Sequence, residues 1–186
     1  TFTKELFRSI SRDVFNHQKA FEDYIQTQIE TLKLSPSRLN DYLSCPRKFF
    51  YSKILDINVE EANTDSANFG TEIHHLLETS ARNAMVTGTY FTIDEAKKIF
   101  NKDIETIRFS KSEVKENFIR LGNNALDLYY PHFVEIPASR LDKIEFSFDG
   151  LDVNGHALTG KIDRIEKNKD GTYELFDYKT GVGSSP

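Results

Sequence analysis

TGKIDRIEKNKDGTYELFDYKTG, residues Thr159–Gly181, decides how this chain folds. Its two arms flank Lys169-Asp170-Gly171, and an Asp-Gly pair between apolar runs predicts a β-hairpin. A loop centred there sets Asp163 opposite Asp177, give or take one residue. Side chains alternate along a strand, so Asp177 and Lys179 share a face while Tyr178 points to the other. Carboxylates facing each other across a ladder lie about 5 Å apart at Cβ and repel, so this pair calls for a cation between them. One aspartate on each arm, with a lysine two residues after the second, is the outline of a metal-dependent phosphodiesterase. A solvated acidic hairpin would carry the same residues, with Lys179 as a surface salt-bridge partner. Leu175 and Phe176, however, make the second arm apolar on both faces, the mark of a strand covered on both sides. Asp177 at its end is then expected to be partly desolvated, where an unpaired carboxylate is costly.

Upstream, Phe69–Glu78 reads FGTEIHHLLE, predicting a helix opened by Gly70 with Ile73, Leu76 and Leu77 on its buried face. His74 lies beside that face, as a core histidine or as a ligand for a first-row divalent metal. His75, about a hundred degrees away, reads as surface. Residues 2–32 carry apolar positions at near-helical spacing, for one long helix or two shorter ones. Ser35-Pro36 is an N-cap followed by proline at the first helical position, and Pro46 starts another short helix. Residues 56–68 are polar and aperiodic and read as a loop. Thr92 with Glu95, and Ser110 with Glu113, are capping-box patterns that predict helices over 93–108 and 111–130, the second closed by Pro131. From Asp142 the period becomes two. KIEFSFDG, LDVNGHALTGKIDRIE and TYELFDYK are strands with Asp-Gly, Asn-Gly and Asp-Gly turns, an antiparallel meander in which Glu145 reads as structural. The fold class is therefore α+β, a helical N-terminal part followed by the meander.

The ordered set Gly70-x-x-x-His74, GKIDRI and DYKTG resembles the PD-(D/E)XK nucleases of the RecB and AddB branch, which have a restriction-endonuclease-like fold. Residues 34–55, LSPSRLNDYLSCPRKFFYSKIL, add a fourth piece, similar to the opening of AddB-type nuclease domains. The resemblance implies residues 1–33 as an N-terminal helical segment and 34–186 as the nuclease domain, the first part of an αβββαβ core. It implies His74, Asp163, Asp177 and the Tyr178 backbone carbonyl as ligands of Mg²⁺ or Mn²⁺, with Asp163, Asp177 and Lys179 as the catalytic set. Lys179 would orient a metal-bound water or offset charge on the phosphoryl oxygens. It implies DNA as substrate, a helicase subunit or domain as partner, and DNA end processing in recombinational repair. A catalytically inactive module of the same fold, binding DNA or a partner, is the alternative. AddB-type domains hold an iron–sulfur cluster on four cysteines, and Cys45 is the sole cysteine here. One thiolate cannot hold a cluster, so none is expected in this chain, and Cys45 reads as a small buried hydrophobe unless a longer parent supplies the rest. A Gln-x-x-x-Tyr helix follows the DYK strand in the family, and the sequence stops at Pro186 before one begins.

Bulk composition fits this reading. With 186 residues, 38% of them hydrophobic, and fifteen Phe and eight Tyr, the chain can bury a core. No apolar run approaches a membrane span, no targeting segment is visible, and cytoplasmic residence is expected. A start without Met and an end in GVGSSP look cut from something longer. The net charge of −5 argues against a general DNA-coating protein but not against a nuclease, whose metal ligands are acidic. Arg38, Arg47, Lys48 and, next to the metal candidate Asp163, Arg164 are the candidates for DNA contact; Lys53 reads as solvated. No Gly-x-x-x-x-Gly-Lys-Ser/Thr phosphate loop exists, so an ATP-driven motor is not encoded in these residues.

Overall fold

The computed structural model describes residues 17–57 and 65–180; the expectations for residues 1–16 and 58–64 fall outside them. In chain order they form α1 (17–30), α2 (Pro36–Ser44), α3 (Pro46–Phe49) running into a π-helical turn (Phe50–Ile54), α4 (Asp65–Thr87), α5 (Ile93–Thr106) and α6 (Ser112–Val134). A 3₁₀ turn (Ala138–Arg140) then leads into β1 (Leu141–Val153), β2 (His156–Lys167) and β3 (Tyr173–Phe176). This is the expected α+β order of helices followed by an antiparallel meander. The described residues cluster into two compact units, 17–57 with 148–160 and 65–147 with 161–180. Residues 34–57 thus cluster with the segment before them and with the tip of the β1–β2 hairpin.

In the first unit, local chemistry behaves as read. Ser35 Oγ accepts the Arg38 N–H at 3.2 Å, with Pro36 at the start of α2. Cys45 departs from its reading: it is exposed, and its Sγ accepts the Lys48 N–H at 3.4 Å, capping α3. Leu34 makes a parallel bridge to Leu158, flanked by the ion pair of Lys33 Nζ with Asp149 at 2.6 Å.

The second unit holds the main core and the candidate site. On α4 the buried residues Phe69, Ile73, Leu76, Leu77, Ala81 and Ala84 recur every three or four positions, forming one apolar stripe. It packs with Ala96, Phe100 and Ile104 of α5 and Leu126, Tyr130 and Phe133 of α6. Burying a large apolar side chain contributes roughly 1.5–3 kcal/mol, so this cluster carries the unit. The helix boundaries differ from the sequence reading at three points. α4 begins at Asp65, which shortens the expected loop and leaves Gly70 inside the helix rather than opening it. The Thr92–Glu95 capping box forms, but Ser110 turns away from Glu113 and gives both its N–H and its hydroxyl to Asp65. α6 runs through Pro131 to Val134, because a proline in the last turn removes only one backbone donor.

Strand order is β1-β2-β3, so β2 is central among the described strands. Asn154 (φ 54°) and Gly155 (φ 81°) join β1 to β2, two left-handed residues as a tight hairpin turn needs. The expected Asp149-Gly150 turn does not form; β1 runs straight through it. In the second hairpin Arg164 pairs with Phe176 and Lys167 with Tyr173, around a turn in which Gly171 has φ 86°. Coverage of the arms is the reverse of the expectation. β2 is buried at four consecutive residues, Asp163 to Glu166, whereas β3 lies at the edge among the described strands, with Tyr173, Glu174 and Leu175 exposed. Two apolar neighbours on a short strand do not show whether anything lies outside it.

Candidate functional site

The register puts Asp163 and Asp177 one step past the Arg164–Phe176 pair, opposite each other as expected, but the ladder ends there and Asp177 lies just beyond β3. Here the chain leaves the sheet and its backbone polar groups find side-chain partners. The Tyr178 N–H donates to Asp163 Oδ2 at 2.6 Å. The Tyr178 carbonyl lies 3.0 Å from His74 Nε2, reaching in from α4. A carbonyl only accepts, so Nε2 carries the proton, and in the neutral ring Nδ1 is left with a bare lone pair. Nδ1 faces Asp163 Oδ2 at 3.6 Å. The backbone of a single residue, through the peptide groups on either side of it, thus orients an imidazole from a helix and a carboxylate from a strand.

Glu145 of β1 joins them. A nitrogen of His74 and carboxylate oxygens of Glu145 and Asp163 all lie within 4.8 Å of one another. Asp163 is buried and the Glu145 side chain is only 8% exposed. Lys161, two residues before Asp163 on the same face of β2, places its Nζ on Glu145 Oε2. That bond, with Glu145 as anion, raises the lysine pKa above its ordinary value. These residues line a cleft of about 490 Å³ together with Gly70, Glu78 and Thr180. Two carboxylates, both largely out of water, and an imidazole nitrogen converge in a way that fits a divalent cation: hard oxygens and one nitrogen at a spacing that ligand bonds of about 2.1 Å can span.

Other expected residues go elsewhere. Asp177 and Lys179 pair with each other at 2.6 Å, with side chains 62% and 74% exposed. Asp177 is therefore solvated, contrary to the expectation that its strand would bury it, and it stands outside the three-residue grouping. Asp177 and Lys179 line a second, mainly apolar hollow of about 400 Å³ with Phe69, Leu126, Tyr129 and Phe176. Arg164, read as a phosphate candidate, is 2% exposed, because alternation turns it to the face opposite Asp163. There its guanidinium lies over Phe176 and Phe133, 4.4 and 4.8 Å from the ring centroids, and its Nε is 3.0 Å from the fully buried Glu166. Arg38 donates to the Lys33 carbonyl at 2.6 Å, and Arg47 and Lys48 are exposed on α3; all three belong to the first unit. His75 is exposed as read, with Nδ1 3.8 Å from Asp103. Glu145 is the residue that sequence reasoning set aside as structural. A signal was there: the apolar positions Leu141, Ile144, Phe146 and Phe148 break period two once, just before it.

Comparison with known proteins bears on the same residues. The family model of the PD-(D/E)XK nuclease superfamily matches residues 33–185, a span that includes every residue of the cleft. Three curated proteins from Streptococcus agalactiae, of serotypes Ia, V and III, are each named as a subunit of an ATP-dependent helicase/deoxyribonuclease. Each is 25% identical over 164 residues, covering 82% of this chain and 14% of the relative. The chain thus spans about one seventh of the length of these relatives. Among the described residues no helix is long and apolar enough to cross a membrane. The domain-wide match shows that this chain belongs to the PD-(D/E)XK nuclease superfamily.

Proposed function

We propose that the protein is a divalent-metal-dependent deoxyribonuclease of RecB or AddB type, cleaving DNA phosphodiesters in the cytoplasm while a helicase subunit or domain feeds it DNA ends for recombinational repair. The observation that carries this reading is the meeting of His74 and Asp163 on the Tyr178 backbone inside a superfamily-matched domain. The name of the streptococcal relatives, with helicase and deoxyribonuclease together in it, supports the DNA substrate and the helicase partner. His74 and Asp163 would hold Mg²⁺ or Mn²⁺, with Asp177 brought in as a further ligand. The ion supplies Lewis-acid polarisation of the phosphate and a more acidic bound water. Asp163, fixed by the Tyr178 amide, keeps its lone pairs directed into the cleft. His74 would offer Nδ1 to the ion while its Nε2 is held by the Tyr178 carbonyl, the group also expected as a ligand. Lys179, 74% exposed and held by a solvated ion pair with Asp177, would turn to steady the attacking water or the phosphoryl oxygens.

The test is DNA cleavage by the full-length protein with Mg²⁺ or Mn²⁺, alongside Asp163→Ala and Lys179→Ala. Each variant should lose activity by about 100-fold or more. Undiminished cleavage in both rejects the assignment. One observation favours a second reading, a nuclease fold used only for binding: Asp177 and Lys179 satisfy each other away from the cleft. Under that reading calorimetry finds no His74-dependent Mn²⁺ binding.

A further inference from the structure

We infer that Glu145 is an additional ligand of the divalent ion, and that Lys161 is a resident counter-ion that the metal displaces. This rests on the reading of His74 and Asp163 as the metal centre. Glu145 sits inside β1 with φ 54°, a left-handed backbone that a non-glycine residue in a strand adopts only against a steric penalty. The consequence of that kink is geometric. It delivers a carboxylate from β1 to within 4.8 Å of the donor atoms of His74 and Asp163, which come from α4 and β2. Glu145 is held out of water, its side chain 8% exposed, whereas its partner Lys161 is 58% exposed. The exchange is thus asymmetric. An entering divalent ion can take the Glu145 oxygen while the lysine swings into solvent at little desolvation cost. A single ammonium balances only part of the charge of Asp163 and Glu145, and a divalent cation balances all of it.

The two residues should affect metal affinity in opposite directions, a pattern that a purely structural Glu145–Lys161 pair would not produce. Mn²⁺ titration of the full-length protein by calorimetry should give affinity about 10-fold or more weaker for Glu145→Gln, and several-fold tighter for Lys161→Met. Asp163→Ala should abolish binding. Glu145→Gly, whose backbone accepts φ 54° freely, should show the same weakening as Glu145→Gln and guards against a fold defect in the latter. If Asp163→Ala loses Mn²⁺ while both Glu145 variants bind like the wild type, Glu145 is no ligand although the centre stands. If Asp163→Ala binds normally, the centre itself is wrong. Unchanged or weaker binding by Lys161→Met overturns the displacement.

Discussion

Gly70 sits one helical turn before His74, and replacing it with alanine should separate stability from activity. An added Cβ would fall 2.9 Å from Thr180 Oγ1, where ordinary contact begins at 3.4 Å. The Thr180 segment or α4 must therefore shift by about half an ångström, the steep part of the repulsive wall. Against this, Gly→Ala inside a helix gains about 1 kcal/mol. Thr180 is exposed, so its segment can give way, with the side chain pushed off-rotamer at about 0.5–1.5 kcal/mol. The two effects nearly cancel, so the melting temperature should move by only a few degrees. Activity should not be spared. Thr180 lies two residues after Tyr178, whose backbone orients both His74 and Asp163, and misplacement by 1 Å costs about 100-fold. Half that displacement predicts a loss of roughly 10-fold in single-turnover DNA cleavage. Adding Thr180→Ala removes the clashing hydroxyl and should restore most of the rate. Failure of that double variant to recover, with its fold intact, would show that close approach of α4 to Thr180 is not what the glycine provides.

Two further substitutions test the scaffold around the cleft. Gly122→Ala in α6 would put a Cβ 2.2 Å from the Phe100 ring, with no exposed atom able to yield. It should cost about 1–3 kcal/mol in urea unfolding despite the helix-propensity gain. Arg164→Met should cost about 3–5 kcal/mol near neutral pH, because it strands the buried Glu166 with Arg140 as its remaining cation. Burial already raises the Glu166 pKa, and loss of Arg164 raises it further. A carboxyl with a raised folded-state pKa carries its full penalty above that value and sheds it as pH falls towards the unfolded value. The Arg164→Met deficit should accordingly shrink in melts run down from pH 8 towards pH 4.5; a deficit that widens on acidification would contradict the stranded-carboxylate account.

What could be read from residues alone was whatever local chemistry controls. Ser35-Pro36, the Thr92–Glu95 box and the Asn154-Gly155 turn form as expected because each depends on a few neighbouring bonds. The register of the second hairpin was legible, since turn length fixes it: the Arg164–Phe176 pair puts Asp163 and Asp177 one step beyond the end of the ladder. What failed depends on remote partners. Ser110 leaves Glu113 because Asp65, 45 residues earlier, competes for it. Arg164 looks like a surface cation until Phe133 of α6 and Phe176 of β3 enclose it. Asp177 looks desolvated until β3 proves to be an edge. Glu145 looks inert until a left-handed backbone, invisible in composition, carries its carboxylate across to His74.

The two faces of β2 explain why one short segment can serve chemistry and stability together. Lys161 and Asp163 face the polar cleft, while Arg164 and Glu166 face a dry layer of aromatic rings. Tyr178 is where those faces are joined. Its N–H and C=O bind Asp163 and His74, and its buried ring contacts Phe133 edge-on with centroids 6.1 Å apart and lies 5.7 Å from the Arg164 guanidinium. Because the polar contacts come from the backbone, any residue but proline at 178 could make them; the packed aromatic side chain is what holds that stretch of backbone in place. Positional accuracy at the candidate metal centre therefore derives from hydrophobic packing on the opposite side of the sheet, a coupling that links the stability of Arg164 and Phe133 to the geometry of His74 and Asp163.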